Sequence, residues 1–445
     1  MRISQRGILK IRSFQRFINA DSLFVASLAA SRAASFLFVF LALRAFEPSE
    51  YLNFLKLYSL QPLVQTVSSS GVNEILIPAI YSKTPYVEGK QSIAKEHLVS
   101  VLVATLAALA IIIPPFLSFE TDINLRLFSS TCLIGYGIVY LALNAEVTYN
   151  NLNSRRIKAA AINLILNIFI PGGSLLLAAL TNHPALYSVF LCALAFIALI
   201  GTASLSNYKL SIKYREFKLF NFATFKTVFY SLTSSIASWL SGFGIMYLST
   251  YLYDPIRTAI FSAMFSISSV SGVIATLFNQ SWSPYFYQTY SLDGIAGAEK
   301  ASSTFFNNLA VALTGIVILV TSLLPYYISI FLHLPKLDIL FATRSLVILS
   351  VSYLCSYAWF HSQNYLLLLG KTKYITTIYV LSTAIPFLLC FELKNMIYLP
   401  SLIFLSQAFL RSFLGVLFVK RILSVNPPML QSLIPSIIVL LIFFH

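Results

Sequence analysis

Apolar stretches of about 20 residues recur along the whole chain and constrain its fold more than any other feature. A helix needs roughly 20 mainly apolar residues to cross the ~30 Å hydrocarbon layer of a bilayer. Only 10% of the residues are charged and 58% are hydrophobic, whereas soluble domains carry roughly a quarter charged residues. This composition cannot build a water-exposed globular surface, so the sequence predicts an all-α integral membrane protein.

Twelve transmembrane helices are predicted, and their order defines the expected domains. The spans are 20–43, 51–80, 97–118, 124–147, 157–180, 184–206, 226–250, 256–283, 302–330, 340–367, 373–391 and 396–419. The domains are a basic cytoplasmic tail at 1–19, an N-terminal six-helix lobe at 20–206, a basic cytoplasmic linker at 207–225, a C-terminal six-helix lobe at 226–421 and an apolar C-terminal segment at 422–445. The last segment contains Pro435 and is short, so both a thirteenth span and an interfacial helix stay open.

The distribution of basic residues predicts the orientation. With the N-terminus inside, 21 of the 30 Lys and Arg residues fall on the inner side and six on the outer side. Cytoplasmic segments carry an excess of Lys and Arg, so this split favours a cytoplasmic N-terminus. The net charge of +15 is then explained by basic residues that set the topology and contact anionic membrane lipids. No nucleic-acid partner is expected.

A short internal repeat relates the two lobes. The second span ends at 73–81 (NEILIPAIY) and the eighth ends at 279–287 (NQSWSPYFY), so both read N-[E/Q]-x-x-x-P-x-x-Y. Six spans separate the copies, which gives both the same orientation and predicts two parallel six-helix lobes. Repeats of this kind place a substrate path at their interface.

Polar residues within the first two spans are candidates for that path. Arg32 lies near the middle of the first span, where an arginine costs roughly 2.5–3.5 kcal/mol to insert. It either binds an anion in a central cavity, since guanidinium suits phosphate, or is a structural residue paired with a carboxylate such as Glu74 or with backbone carbonyls. The second span carries a polar stripe at i, i+4 spacing, with Lys56 and Glu74 sharing another face; the stripe is Gln61, Gln65, Ser69 and Asn73. This pattern fits a hydrophilic path or amide hydrogen bonds between helices.

The eighth span adds further candidates. Arg257 stands at its predicted outer mouth, and Asn279 and Gln280 close its inner end. Arg257 is interpreted either as a substrate contact or as a residue that snorkels to the interface. Two other polar pairs are expected to be structural, with the members of each one turn apart: Arg411 with Gln407, and Asn163 with Asn167, the latter bridging helices.

Enzymatic motifs are missing from the sequence. It contains no P-loop, and its five histidines are scattered without HExxH spacing, so neither a nucleotide nor a catalytic metal is indicated. We therefore expect a protein that is not an enzyme and that needs no cofactor.

Three phrases carry a resemblance to a known family. They are FNQSWSPYF at 278–286, SGVN at 70–73 and NLILNIFIPG at 163–172. In order and spacing they resemble the polysaccharide exporter (Wzx-type, O-antigen) flippases of the multidrug/oligosaccharidyl-lipid/polysaccharide (MOP) superfamily, over about residues 15–421. The resemblance implies a MATE-like fold and a cationic central cavity that accepts the diphosphate of a polyprenyl-linked sugar, with Arg32, Lys56 and Arg257 as its candidates.

The leading hypothesis is a flippase in the bacterial inner membrane. It would move an undecaprenyl-diphosphate-linked oligosaccharide from the cytoplasmic to the outer leaflet for O-antigen or capsule synthesis, by alternating access. Its expected partners are the lipid-linked oligosaccharide, membrane lipids and other polysaccharide-assembly membrane proteins, and the candidate coupling ions are H+ and Na+. Two rivals remain: a cation-coupled multidrug exporter of the same fold, and a non-transporting membrane scaffold of a polysaccharide-synthesis complex.

Overall fold

The structure is a computed structural model of the protein, and its architecture is a series of helices. The structure describes residues 23–24, 26–31, 33–35, 37–81, 89–117, 123–152, 155–205, 232–331, 336–369, 371–393, 396–425 and 430–444. Within these residues every regular element is helical.

Thirteen helices follow one another along the described chain. The N-terminal six are α1 (Ala26–Ala45), α2 (Pro48–Tyr81), α3 (Gly89–Phe116), α4 (Ile123–Leu152), α5 (Arg156–Thr181) and α6 (Tyr187–Leu205). The rest are α7 (232–240 and Phe243–Leu252), α8 and α9 (255–293 and 295–331 within Pro255–Phe331), α10 (Lys336–Leu368), α11 (Thr372–Leu393), α12 (Leu399–Leu423) and α13 (Leu430–Phe444).

The prediction of an all-α, multi-pass membrane fold is confirmed. Among the described residues, eight helices are long and apolar enough to cross a membrane, by length and composition. Shorter apolar helices occupy Val101–Phe116, Phe243–Leu252 and Leu433–Phe443. Helix order follows the twelve predicted spans, and the extra C-terminal helix is α13.

The C-terminal helix α13 packs along the C-terminal core. Cys355 of α10 donates a hydrogen bond from Sγ to Ser436 Oγ over 3.3 Å, and Val439 is fully buried in the same cluster. The helix has 15 residues, which rise about 22 Å at 1.5 Å per residue. This length falls short of the ~30 Å hydrocarbon layer, so α13 alone does not reach from one interface to the other.

The connection between α8 and α9 differs from the prediction. The sequence predicts an eighth span ending at 283 and a ninth beginning at 302, but helical structure continues from both sides up to Gly294. Gly294 has φ 70° and ψ −163°, a conformation that glycine adopts because it has no Cβ. Both helices therefore extend past their apolar portions and meet at this single residue.

Helix α5 contains a local change of winding. Residues Ile165–Phe169 form one turn of π-helix between two α-helical segments. The helix ends at Asn182 with φ 53°, which is the left-handed conformation that asparagine tolerates better than most residues. Turns of π-helix are often found at functional positions, so the polar residues of this part of α5 are candidates for a functional role.

The chain divides into two compact units that are described separately. The first comprises Met1–Phe38 and Leu60–Leu232, and the second comprises Val39–Ser59 and Thr233–His445. The unit boundary lies inside α2, so the first twelve residues of this helix belong with the C-terminal helices. In the second unit an aromatic series of buried and partly buried rings makes successive contacts; its members are Phe46, Phe54, Tyr58, Phe243, Phe265 and Phe404.

Close helix contact in the first unit depends on Gly137 of α4. A Cβ atom at this position would collide with Leu109 of α3 and lie 2.9 Å from Val64 Cγ1 of α2. By contrast, a Cβ atom at Gly315 of α9 would meet nothing within 4 Å. The three helices can pack this closely only because Gly137 has no side chain.

We expect Gly137→Ala to destabilise the protein by about 1–3 kcal/mol, as overpacking does in well-filled cores. Thermal unfolding of the purified protein in detergent measures the change. Gly315→Ala is the matched control, and it should leave stability unchanged or raise it slightly because alanine is the better helix former. Equal unfolding temperatures for the two variants would contradict the packing argument.

Candidate functional site

Lys56 is a buried cation in the second unit. It lies eight residues into α2, its residue is 8% exposed, and its Nζ lies 5.2 Å from the ring centroid of Tyr251 of α7. A lysine ammonium over an aromatic face is stabilised by the ring's quadrupole, by about 2 kcal/mol when desolvated. The Tyr251 hydroxyl is 2.8 Å from that of Tyr247.

Hydrogen bonds fix the backbone around Lys56. Ser59 Oγ donates to the Lys56 carbonyl over 2.9 Å, and Trp239 Nε1 of α7 donates to the Ser59 carbonyl over 2.7 Å. One turn before Lys56, the Tyr51 hydroxyl lies 2.5 Å from Ser262 Oγ of α8. The start of α2 is thereby bound to both α7 and α8. The site around Lys56 is built from helices of both sequence halves.

Arg257 occupies a more open position in the same unit. It lies in the first turn of α8, where its backbone N–H donates to Asp254 Oδ1 over 2.9 Å. Its Nε is 3.6 Å from Asp254 Oδ2, and the two side chains are 49% and 52% exposed. Asp254 therefore caps α8 and partly neutralises Arg257. Burial raises the pKa of Tyr253 in this loop, an effect that the nearby guanidinium opposes.

The glutamines of α2 take part in hydrogen bonds inside the first unit. Gln65 Nε2 donates to the Tyr136 hydroxyl of α4 over 2.8 Å, and Gln61 Nε2 approaches the same oxygen at 3.5 Å. Tyr187 of α6 donates from its hydroxyl to Gln61 Oε1 over 2.5 Å. Both tyrosines are fully buried. These two amides connect α2 to α4 and α6, which is the structural interpretation of the stripe.

Four of the sequence-based candidates cannot be placed. Arg32 lies outside the described residues, and so do the side chains of Asn73, Glu74 and Gln280. Their roles stay predictions.

Asn279 has a partner that the sequence did not identify. Asn364 Nδ2 of α10 donates to Asn279 Oδ1 over 2.9 Å, and Asn364 is 3% exposed. Trp282, three residues along α8, stacks on Phe305 of α9 with ring centroids 4.3 Å apart. In the FNQSWSPYF segment, Asn279 thus joins α8 to α10, and Trp282 joins α8 to α9.

Asn163 of α5 bridges to another helix, as predicted, whereas Asn167 bonds to Asn163 within its own helix. Asn163 Nδ2 lies 3.3 Å from Ser27 Oγ and 3.1 Å from Ser31 Oγ of α1. Asn167 Nδ2 donates to Asn163 Oδ1 over 2.9 Å from within the π-helical turn. The cluster holds α1 and α5 together next to position 32 in the chain.

Several important residues escaped prediction because their partners are remote in sequence. Tyr51, Tyr251 and Trp239 belong to a large set of aromatic residues that is typical of lipid-facing surfaces and interfaces. Asn364 had a usable signal, since it ends the polar run His361-Ser362-Gln363-Asn364 inside an apolar helix. Among the described residues, no group of three or more His, Cys, Asp or Glu side chains is placed to hold a metal ion.

Solved structures of transporters share this fold. No family model and no curated protein matches the chain. The lipid II flippase MurJ in an inward closed conformation is similar with a TM-score of 0.58 at 15% identity, covering 95% of this chain and 91% of that one. A MATE structure in the bent conformation gives a TM-score of 0.55 at 11% identity, covering 97% and 96%. A MATE complex with MaL6 gives 0.51 at 11% identity, covering 94% of each. The predicted MATE-like fold class is confirmed.

We expect Gln61→Leu to destabilise the protein by about 1–3 kcal/mol, because it leaves the buried Tyr187 hydroxyl without its acceptor. The double variant Gln61→Leu with Tyr187→Phe should recover part of the loss, since it removes both polar partners. Thermal unfolding in detergent of the two single variants and the double variant measures this coupling. Additive losses in the double variant would show that the hydrogen bond contributes nothing to stability.

Proposed function

We propose that the chain is a flippase that moves an undecaprenyl-diphosphate-linked oligosaccharide from the cytoplasmic to the outer leaflet of the bacterial inner membrane, by alternating access. The product would serve O-antigen or capsule synthesis, as in the Wzx-type exporters that the sequence resembles. The N-terminus would lie in the cytoplasm, and the protein would not act as an enzyme.

The observation that carries this proposal is the buried cation Lys56. An ammonium group inside a membrane helix is costly and marks a candidate functional position. Here it lies over the Tyr251 ring, and its ammonium can donate charge-assisted hydrogen bonds to phosphate oxygens. A diphosphate that crosses the bilayer must exchange its water shell for such donors, while its lipid tail stays in the hydrocarbon.

The fold supports transport, and one similar structure supports the kind of substrate. That structure is of a lipid II flippase, so the fold can carry flippase activity. The MATE structures favour the main rival, a cation-coupled exporter of small molecules. In the described part of the chain the buried charge near the candidate site is basic, and this favours an anionic substrate.

Coupling and partners follow from the same proposal. A H+ or Na+ gradient is the candidate energy source, and Glu74 of α2 is the carboxylate that the sequence offers for it. Other membrane proteins of polysaccharide assembly are the proposed partners, and a scaffold role in such a complex is the non-transporting alternative. Flippase activity of the pure protein in liposomes excludes the scaffold alternative.

Lys56→Met should reduce substrate translocation by about 10- to 100-fold. A charge-assisted hydrogen bond contributes roughly 1.5–3 kcal/mol, and each 1.4 kcal/mol corresponds to a factor of about ten. Cells that carry only this variant should display less surface polysaccharide and accumulate lipid-linked repeat units on the cytoplasmic side. Quantitative mass spectrometry of the lipid-linked pool measures the effect.

Lys56→Arg and Lys420→Met are the matched controls. The first keeps a cation at the site and should retain most of the activity, while the second removes an exposed lysine from the last turn of α12. All variants must reach wild-type membrane levels. Unaltered surface polymer after deletion of the gene would refute the flippase proposal.

In the proposed cycle the start of α2 separates from α8, and Tyr51–Ser262 is a contact between these two helices within the second unit. In a background without the native cysteines, Tyr51→Cys with Ser262→Cys should be joined by a short bis-maleimide reagent. A direct disulfide is not expected, because the tyrosine side chain spans more than the ~3.8 Å that separates disulfide Cβ atoms. Transport in liposomes should fall to background after cross-linking.

The single-cysteine variants treated with the same reagent provide the control, and they should keep their transport activity. Full activity of the cross-linked double variant would mean that the two helices never separate, and the alternating-access part of the proposal would then be abandoned.

A further inference from the structure

Arg411 is a cation at the centre of a membrane helix. It lies midway along α12, twelve residues from each end of Leu399–Leu423. At 1.5 Å per residue, either end is about 18 Å away. The guanidinium therefore cannot reach water at a helix end by extending its side chain along the helix surface.

Aromatic contacts account for only one face of the guanidinium. Arg411 Cζ lies 4.6 Å from the ring centroid of Tyr379 of α11, and the Tyr379 hydroxyl accepts a hydrogen bond from Trp359 Nε1 over 3.3 Å. The remaining polar contact is long, with Arg411 Nε 3.5 Å from Ser382 Oγ. In the described part of the chain, Arg411 forms no ion pair and its Nη2 atom is buried without a hydrogen-bond partner.

Gln407, one helical turn before Arg411, also has buried polar atoms without hydrogen-bond partners. This residue is 0% exposed, and neither its Nε2 nor its Oε1 atom has a hydrogen-bond partner. Residues four apart lie on the same face of a helix, so Gln407 and Arg411 share a face of α12, and each has a buried donor without a partner. Neighbouring polar side chains are occupied elsewhere, since Ser412 Oγ donates to the Cys355 carbonyl over 2.6 Å.

Electrostatics determines what can complete this arrangement. An arginine stays protonated in proteins, so the positive charge at Arg411 cannot be removed by loss of a proton. A buried charge needs an opposite charge or several hydrogen bonds. The groups without partners are the guanidinium and amide donors and one amide oxygen. An anion satisfies the charge and the donors together, whereas a second cation would be repelled.

We propose that Arg411 and Gln407 form a binding site for a small monovalent anion of the chloride class, inside the C-terminal unit and independent of the substrate site at Lys56. Nη2 of Arg411 and Nε2 of Gln407 donate to the ion, with the Ser382 hydroxyl beside them. The proposed ligand is a compact ion, because a diphosphate carrying sugars cannot be surrounded by two side chains of one helical turn. The site neutralises a charge that the fold places at the bilayer centre.

Thermal unfolding of the purified full-length protein tests the site, with chloride as the probe. Potassium chloride is titrated against potassium gluconate at constant ionic strength, so that general screening by salt stays the same. A ligand that binds only the folded state stabilises it as RT ln(1 + [L]/Kd). We expect the wild-type unfolding temperature to rise by a few degrees along a chloride binding curve.

Variants locate the effect. Arg411→Gln should lose the chloride-dependent rise, whereas Arg421→Gln, which removes an exposed arginine in the last turn of α12, should keep it. Where Arg411→Gln fails to fold, Gln407→Leu serves instead, because it keeps the charge and removes one donor. That variant should shift the midpoint of the chloride titration several-fold to higher concentration.

The result that overturns the proposal is an unfolding temperature that is the same in chloride and in gluconate for the wild type. A chloride response retained by both Arg411→Gln and Gln407→Leu overturns it equally, since the ion would then bind elsewhere. Stabilisation by pyrophosphate without stabilisation by chloride would assign the donors to a different ligand and also count against the proposal. None of these outcomes depends on flippase activity.

Discussion

The hydrocarbon interior of a membrane offers no hydrogen-bond partners, and the described structure follows from this constraint. Each polar side chain inside a span must find its partner on another helix, in its own backbone or in a ligand. Gln61 and Gln65 find theirs in tyrosines of α4 and α6. Asn163 meets serines of α1, and Asn279 meets Asn364. These bonds specify which helices are neighbours, because apolar contacts alone would allow many arrangements.

Three cations of the second unit satisfy the constraint in different ways. Arg257 lies at a helix start with a carboxylate and solvent beside it, so its charge costs little. Lys56 is buried, and its ammonium lies over the Tyr251 ring of α7. Arg411 is supported by an aromatic face as well, but keeps a buried nitrogen without a partner. The less completely the protein satisfies a charge, the stronger the argument that a ligand does so.

Hydropathy was sufficient to predict the helices but not their partners. Each span is a local property of about 20 residues, so the order of α1 to α12 followed from the sequence, as did the pairing role of Asn163 in α5. The partners of Gln61 and Tyr51 depend on tertiary packing, since Tyr51 and Ser262 are 211 residues apart in the chain. Nothing in the sequence distinguishes the tyrosines that accept or donate these bonds from tyrosines that face lipid. The extent of α8 was missed because its continuation to Gly294 is polar and carries no hydropathy signal.

Helix α2 contributes residues to both compact units, because its backbone passes from one to the other between Ser59 and Leu60. Pro62 lies two residues after Leu60, and a proline has no N–H to donate to the carbonyl four residues earlier, here that of Tyr58. Around this point side chains bond to the backbone: Trp239 Nε1 donates to the Ser59 carbonyl, and Thr66 Oγ1 donates to the Pro62 carbonyl. A helix that lacks one backbone hydrogen bond bends there at lower cost than elsewhere. Lys56 precedes Pro62 and packs with the C-terminal helices, so a bend at Pro62 falls between the buried cation and the remainder of α2.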